Sequence, residues 1–243
     1  MALTKDEIKE FKKEEKEAED CFGFTFIADQ ISDAGDKEWA KNLYKKAEEK
    51  EPDFNDLRGL ANSVFENLDD EEWSRTLYKK AEAMADDDDF GRLADSIFET
   101  LGDKEWAKNL YKKAEEKVDD FDDLKGLSES VFENLDDEEW SRNLYKRADN
   151  QAESYDDLRD LAESLCEILG DKEWARNLYK KTGKQAQSFR DFLDLAESLC
   201  EILDDKELAR NFYKKAEEKA VGDERYHLVQ SKNDYLGDVE GDE

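Results

Sequence analysis

The chain has 243 residues, with 38 Lys and Arg against 68 Asp and Glu, a formal net charge of −30, and only 37% hydrophobic residues. That composition approaches the range in which a chain cannot bury enough apolar surface to offset its conformational entropy, but five Trp and an 11% aromatic share argue for a packed protein. The charge excludes direct binding to nucleic acid or anionic lipid, which would repel it, and favours a basic partner.

Residues 1–21 form the first segment, and Thr4-Lys5-Asp6-Glu7 opens a charged lead-in helix with a capping box. Its apolar residues are Ile8 and Phe11. The N-terminus has no apolar stretch of a secretory signal, and no run in the chain is long enough to span a membrane. Three cysteines, Cys21, Cys166 and Cys200, make no disulfide framework, so a cytoplasmic location is expected.

Residues 22–219 are repetitive. Trp39, Trp73, Trp106, Trp140 and Trp174 stand 34, 33, 34 and 34 residues apart, and Leu208 continues the series. Asp36 to Lys50 recurs letter for letter at Asp103 to Lys117, 67 residues later, and Val64 to Arg75 recurs at Val131 to Arg142. A period of this length identifies stacked supersecondary units. Cys21 to Gly35 is the first helix of a leading repeat, with Phe22, Phe24, Phe26 and Ile31 as its core candidates. In a complete repeat, Leu124, Leu127, Ser128, Val131, Phe132 and Leu135 line one stripe of a first helix. Asp53, Asp86, Asp120, Ser154 and Ser188 mark the starts of successive first helices, each followed three residues on by Asp, which resembles a capping box with Asp in the usual Glu or Gln place. A turn such as Leu101-Gly102-Asp103 follows. Trp106, Ala107, Leu110, Tyr111 and Ala114 then share one face of a second helix. Its acids sit early and Lys112 and Lys113 late, as the helix dipole favours. The Trp are packing residues, and Cys166 and Cys200 take the place of Phe65, Phe98 and Phe132 as small buried side chains. Neither helix can bury its stripe alone, so stability is shared between neighbours.

The stretch Gly102 to Ala114 resembles the second helix of a tetratricopeptide repeat: a Gly-Asp turn, Ala107 four residues after Asp103, Tyr111 four beyond, Ala114 three beyond again. Pro52 stands where that family often places a proline between repeats. The first helix lacks the family's Trp and Leu-Gly signature and carries Leu57, Leu60, Ala61, Val64 and Phe65 in a related register; the half-TPR repeats of RNA-processing factors are the alternative kin. The resemblance implies an all-α, right-handed α-solenoid of about 34-residue helix–turn–helix repeats, with first helices lining a concave groove for a peptide or partner helix.

Residues 220–243 form a C-terminal capping helix, Tyr226 to Tyr235, and an acidic tail in which Leu236 to Glu240 echoes the inter-helix turn and Gly241 to Glu243 is frayed.

No catalytic set is evident. His227 is the only histidine, which argues against a zinc site or a Cys–His pair, and no cofactor or metal is expected; the run Asp86 to Asp89 is a solvated turn rather than a cation site. The expected partner-binding surface is three rows on the first helices: Asp56, Asp89, Asp123, Asp157 and Asp191; Ser63, Ser96, Ser130, Ser164 and Ser198; and Glu66, Glu99, Glu133, Glu167 and Glu201. Lys and Arg are expected to cluster on the second helices. The reading is a non-catalytic scaffold that binds a basic peptide or protein surface. The rows have the wrong charge for the Lys/Asn clamp with which some tetratricopeptide proteins hold a C-terminal carboxylate. A DNA-mimic inhibitor of a nucleic-acid-binding or defence protein, and a self-assembling structural array, are the alternatives.

Overall fold

A computed structural model describes residues 3–237. Within them lie fourteen α-helices and no strand: α1 Lys5–Glu17, α2 Cys21–Asp33, α3 Lys37–Glu48, α4 Phe54–Leu68, α5 Glu71–Met84, α6 Asp89–Leu101, α7 Lys104–Glu115, α8 Phe121–Leu135, α9 Glu138–Gln151, α10 Tyr155–Glu167, α11 Lys172–Thr182, α12 Phe189–Glu201, α13 Lys206–Lys219 and α14 Glu224–Leu236. The chain forms two compact units, residues 1–118 and 119–243. Each is a stack of helical hairpins, α2/α3, α4/α5 and α6/α7 in the first and α8/α9, α10/α11 and α12/α13 in the second. The protein is an all-α helical-repeat protein. No helix among the described residues is long and apolar enough to cross a membrane. The turn expected at Leu236 to Glu240 and the end Gly241 to Glu243 run into residues outside those described.

Two signals set each hairpin. The first helix ends on a left-handed residue, or has one in the turn just after it: Asp69, Asp136 or Asp204 in some repeats and Gly35, Gly102 or Gly170 in others. Gly102, at φ 63°, adopts this conformation without the steric cost of a Cβ. An Asp then caps the second helix: the Trp39, Trp73, Trp106, Trp140 and Trp174 amides donate to Asp36, Asp70, Asp103, Asp137 and Asp171, and Leu208 to Asp205.

The core repeats with the sequence. Tyr44, Tyr78, Tyr111, Tyr145, Tyr179 and Tyr213 are all buried, each beside a buried Leu or Phe on the same helix. From the first helices come Leu57, Leu60 and Val64, or Leu158, Leu161 and Leu165. Where a small residue becomes serine its hydroxyl is satisfied: Ser74 donates to the Ala61 carbonyl at 2.8 Å and Ser128 to the Ser141 carbonyl at 2.7 Å.

Four expectations need correction. The five Trp are half-buried at the edges of the hairpins rather than in the core. Phe24 and Ile31 are buried, but Phe22 and Phe26 are 71% and 56% exposed and stack on each other at 6.3 Å. Helix α6 does not start at an Asp86 cap; Asp88 precedes it, with no side-chain cap bond. Cys200 is buried as expected, whereas Cys166 is only half-buried.

Candidate binding groove

A recurring set of charges on the second helices joins one repeat to the next. Glu48 accepts the Trp73 indole N–H at 2.9 Å and the Lys80 ammonium at 2.6 Å. Glu82 does the same for Trp106 at 2.8 Å and Lys113 at 2.7 Å, and Asp149 for Trp174 at 3.1 Å and Lys181 at 3.2 Å. A second row uses the free oxygen of the capping aspartates: Lys41 reaches Asp70 at 2.9 Å, Arg75 reaches Asp103 at 2.7 Å, and Arg142 and Arg176 reach Asp171 and Asp205. The Arg75 guanidinium and the Trp106 amide hold the Asp103 carboxyl below its usual range. These acids are therefore structural.

The three rows on the first helices have different fates. Asp56, Asp157 and Asp191 complete capping boxes. Their carboxylates accept the backbone amides of Asp53 at 3.3 Å, Ser154 at 3.0 Å and Ser188 at 2.9 Å. Partial burial pushes the Asp157 and Asp191 carboxyls up, but the bonds from Ser154 and Ser188 outweigh it, and both end low. Asp123 is exposed, and its amide donates to Asp120 at 2.9 Å. Asp89 is buried, holding the Asp86 amide at 3.1 Å and Arg92 at 2.6 Å. In that acidic run Asp87 pairs with Lys117 at 2.9 Å.

The serine row stitches first helices together. Ser63 donates to Asp29 of the preceding repeat at 3.3 Å, and Ser164 to Glu129 at 2.9 Å. Ser96, buried, accepts Arg58 at 2.9 Å. Ser130 and Ser198 are half-buried.

The glutamate row is open. Glu66, Glu99, Glu133, Glu167 and Glu201 are all exposed. Glu201 accepts the Tyr235 hydroxyl.

One further row escaped the sequence reading: Asp29, Asn62, Asp95, Glu129, Glu163 and Glu197, one turn before the glutamates. Its signal was its constant place about 16 residues before each buried Tyr, roughly one helix and a turn. Tyr44 donates to Asp29 at 2.6 Å, Tyr111 to Asp95 at 2.5 Å, and Tyr78 to Asn62. Burial pushes the Asp29 carboxyl up, against the bonds from Tyr44, Ser63 and Asn67. In the second unit Tyr145 and Tyr179 lie fully buried near Glu129 and Glu163; Ser128 and Ser164 stand beside the Tyr145 hydroxyl and Ser198 beside that of Tyr179, though none of these contacts has full hydrogen-bond geometry.

These rows meet between α8 and α10 in a cleft of about 660 Å³ lined by Glu129, Ser130, Glu133, Asp160, Glu163, Ser164 and Glu167. Its lining cation, Lys125, pairs with Glu129 at 2.9 Å, and Arg159, outside the lining, pairs with Asp160 at 3.2 Å and Glu163 at 3.6 Å. Burial pushes the Glu163 carboxyl up, and Arg159 only partly offsets it. Basic residues are thus not confined to the second helices, since Arg58, Arg92, Lys125, Arg159 and Arg190 stand on first helices. Among the described residues no cluster of His, Cys, Asp and Glu is arranged to hold a metal ion.

The hairpins and their stitched faces define a helical-repeat protein with one carboxylate-rich surface in each unit. No protein-family model and no curated protein matches the chain.

Proposed function

We propose that the chain is a tetratricopeptide-like, non-catalytic scaffold whose first-helix face holds a basic peptide or protein segment. The observation that carries this reading is the contrast between the two helix types. The half-buried acids of the second helices and their caps, such as Glu48, Glu82, Asp149 and Asp103, are each held by Trp, Lys or Arg of a neighbouring repeat. Glu66, Glu99, Glu133 and Glu167 are left exposed, the last three one turn from the half-buried carboxylates of Asp95, Glu129 and Glu163. In the α8–α10 cleft a Lys or Arg side chain from a partner would enter between Glu133, Glu163 and Glu167. It would relieve the unfavourable burial of Glu163.

The residues to change are Glu133 and Glu167, which take no part in caps or inter-repeat bonds. Arrayed peptides of graded Lys and Arg content, with Glu-rich peptides as controls, are the probe. Glu133→Lys with Glu167→Lys should leave the helical circular dichroism unchanged and abolish capture of the basic peptides. Equal capture by the double variant would mean that the rows serve only as solvated surface. Capture lost on raising salt to about 0.5 M, where the Debye length falls below about 5 Å, would mark a purely ionic contact; persistence would mark apolar anchoring as well.

A further inference from the structure

The first and last helices are the two halves of one repeat. Helix α1 docks as a second helix does. Its Glu15 accepts the Trp39 indole N–H at 3.2 Å and Lys46 at 2.5 Å, as Glu48 accepts Trp73 and Lys80. Its Phe11 meets Trp39 edge-on at 6.2 Å, as Tyr78 meets Trp106 at 6.3 Å. Helix α14 docks as a first helix. Ser231 bonds the Tyr213 hydroxyl at 2.8 Å, in the place where Ser96 lies against Tyr78, and left-handed Gly237 closes α14 as Asp204 closes α12.

This correspondence exposes a reciprocal change of charge. Aligned on α3, residues Glu7, Glu10 and Glu14 of α1 take the places of Ala40, Leu43 and Ala47, which are buried against the first helix of their own hairpin. Aligned on α12, residues Arg225, Val229 and Lys232 of α14 take the places of Phe192, Ala196 and Leu199, which are buried against α13. Positions that meet through apolar contact inside a hairpin are thus acidic on α1 and largely basic on α14.

Both faces are open. Beside α14 lies a cleft of about 750 Å³ whose lining includes Lys214, Arg225, Leu228, Val229 and Lys232, a gathering of cations in a chain of net charge −30. No helix among the described residues fills it. Val229 is 54% exposed, and Lys232 meets a single carboxylate, Glu217, at 3.0 Å. On α1, Glu7 engages Thr4 in the cap, Glu10 is exposed and Glu14 is half-buried.

We propose that α1 of one copy of this chain docks in the α13–α14 cleft of a second copy, so that α14 and α1 complete a repeat between molecules, with Glu10 and Glu14 facing Arg225 and Lys232. The contact joins two different surfaces, so it closes into a ring of copies or runs on as a filament.

Sedimentation velocity on the full chain tests this at low and at physiological salt. The mass should rise with concentration above that of the monomer, and added salt should weaken the association. Glu10→Lys with Glu14→Lys, and separately Arg225→Glu with Lys232→Glu, should each give a folded monomer by circular dichroism. An equimolar mixture of the two variants should assemble again, because each acidic end then meets a basic one. A wild-type chain that stays monomeric at its highest soluble concentration would overturn the proposal. So would variants that assemble unchanged, or a mixture of folded variants that stays monomeric. No residue of the first-helix groove is altered, so the outcome is separate from the binding of basic peptides.

Discussion

Trp174 donates its indole N–H to Asp149 at 3.1 Å, and one repeat later both partners change together, to Leu208 and Gly183. The donor and the acceptor vanish in the same step, so no buried group is left unpaired. The lysine of the set is re-used: Lys215, the counterpart of Lys181, lies 5.2 Å from the Phe192 ring and 5.3 Å from the Phe212 ring. Phe212 itself replaces the Leu of the other repeats, and a Cβ on Gly183 would lie 2.2 Å from its ring.

Gly183→Ala should therefore destabilise the protein. In an open helix end the same change stabilises by up to about 1 kcal/mol, but here overpacking costs about 1–3 kcal/mol. Phe212→Leu restores the room. The double variant should recover most of the loss in the urea midpoint; a double variant as unstable as Gly183→Ala alone would assign the effect to the helix end instead.

The link between repeats should rest on the acid rather than on the lysine. Glu82 accepts both Trp106 and Lys113, and its removal leaves a half-buried indole N–H without a partner. Glu82→Ala should cost about 1–2 kcal/mol. Lys113, about half exposed, contributes through a screened surface pair, so Lys113→Ala should cost less than about 0.5 kcal/mol. Equal losses in chemical denaturation would mean that the ion pair, and not the indole bond, joins the hairpins.

The hairpins were legible because their signals are local and repeated: alternating stripes, a Gly or Asp turn, and an Asp before each Trp. The capping role of Asp56, Asp157 and Asp191 was legible for the same reason. The link from Trp106 to Glu82 was not, since it joins residues 24 apart on different helices, and a Trp beside Ala reads as core. The row from Asp29 to Glu197 was hidden by its varied letters, Asp, Asn and Glu. What unites it is a Tyr hydroxyl from the next helix, which no single helix pattern records. Phe22 and Phe26 read as core because aromatic residues usually are, yet both fall off the buried stripe that holds Phe24, Ile27 and Ile31.

Two aspartates should carry pH effects of opposite sign. Asp29 has its carboxyl pushed up by burial, so its charge weighs against the fold at neutral pH and the penalty fades as the pH falls through its raised value. Asp29→Asn should stabilise the protein at pH 7. Asn62, in the same place one repeat later, already accepts its tyrosine as an amide. The advantage should shrink as the solution approaches pH 4. Asp103 has its carboxyl held down, first by Arg75 and then by the Trp106 amide, so its contribution is complete above the ordinary aspartate value of 3.8 and is lost as the pH falls through its lowered one. Asp103→Asn keeps a capping side chain but loses the ion pair, and should cost up to about 1 kcal/mol at pH 7. That deficit should close only below pH 3.8. Urea midpoints at pH 7, 5 and 3 separate the two cases. A gain from Asp29→Asn that is as large at pH 3 as at pH 7 would show that packing, and not buried charge, sets the stability at Asp29.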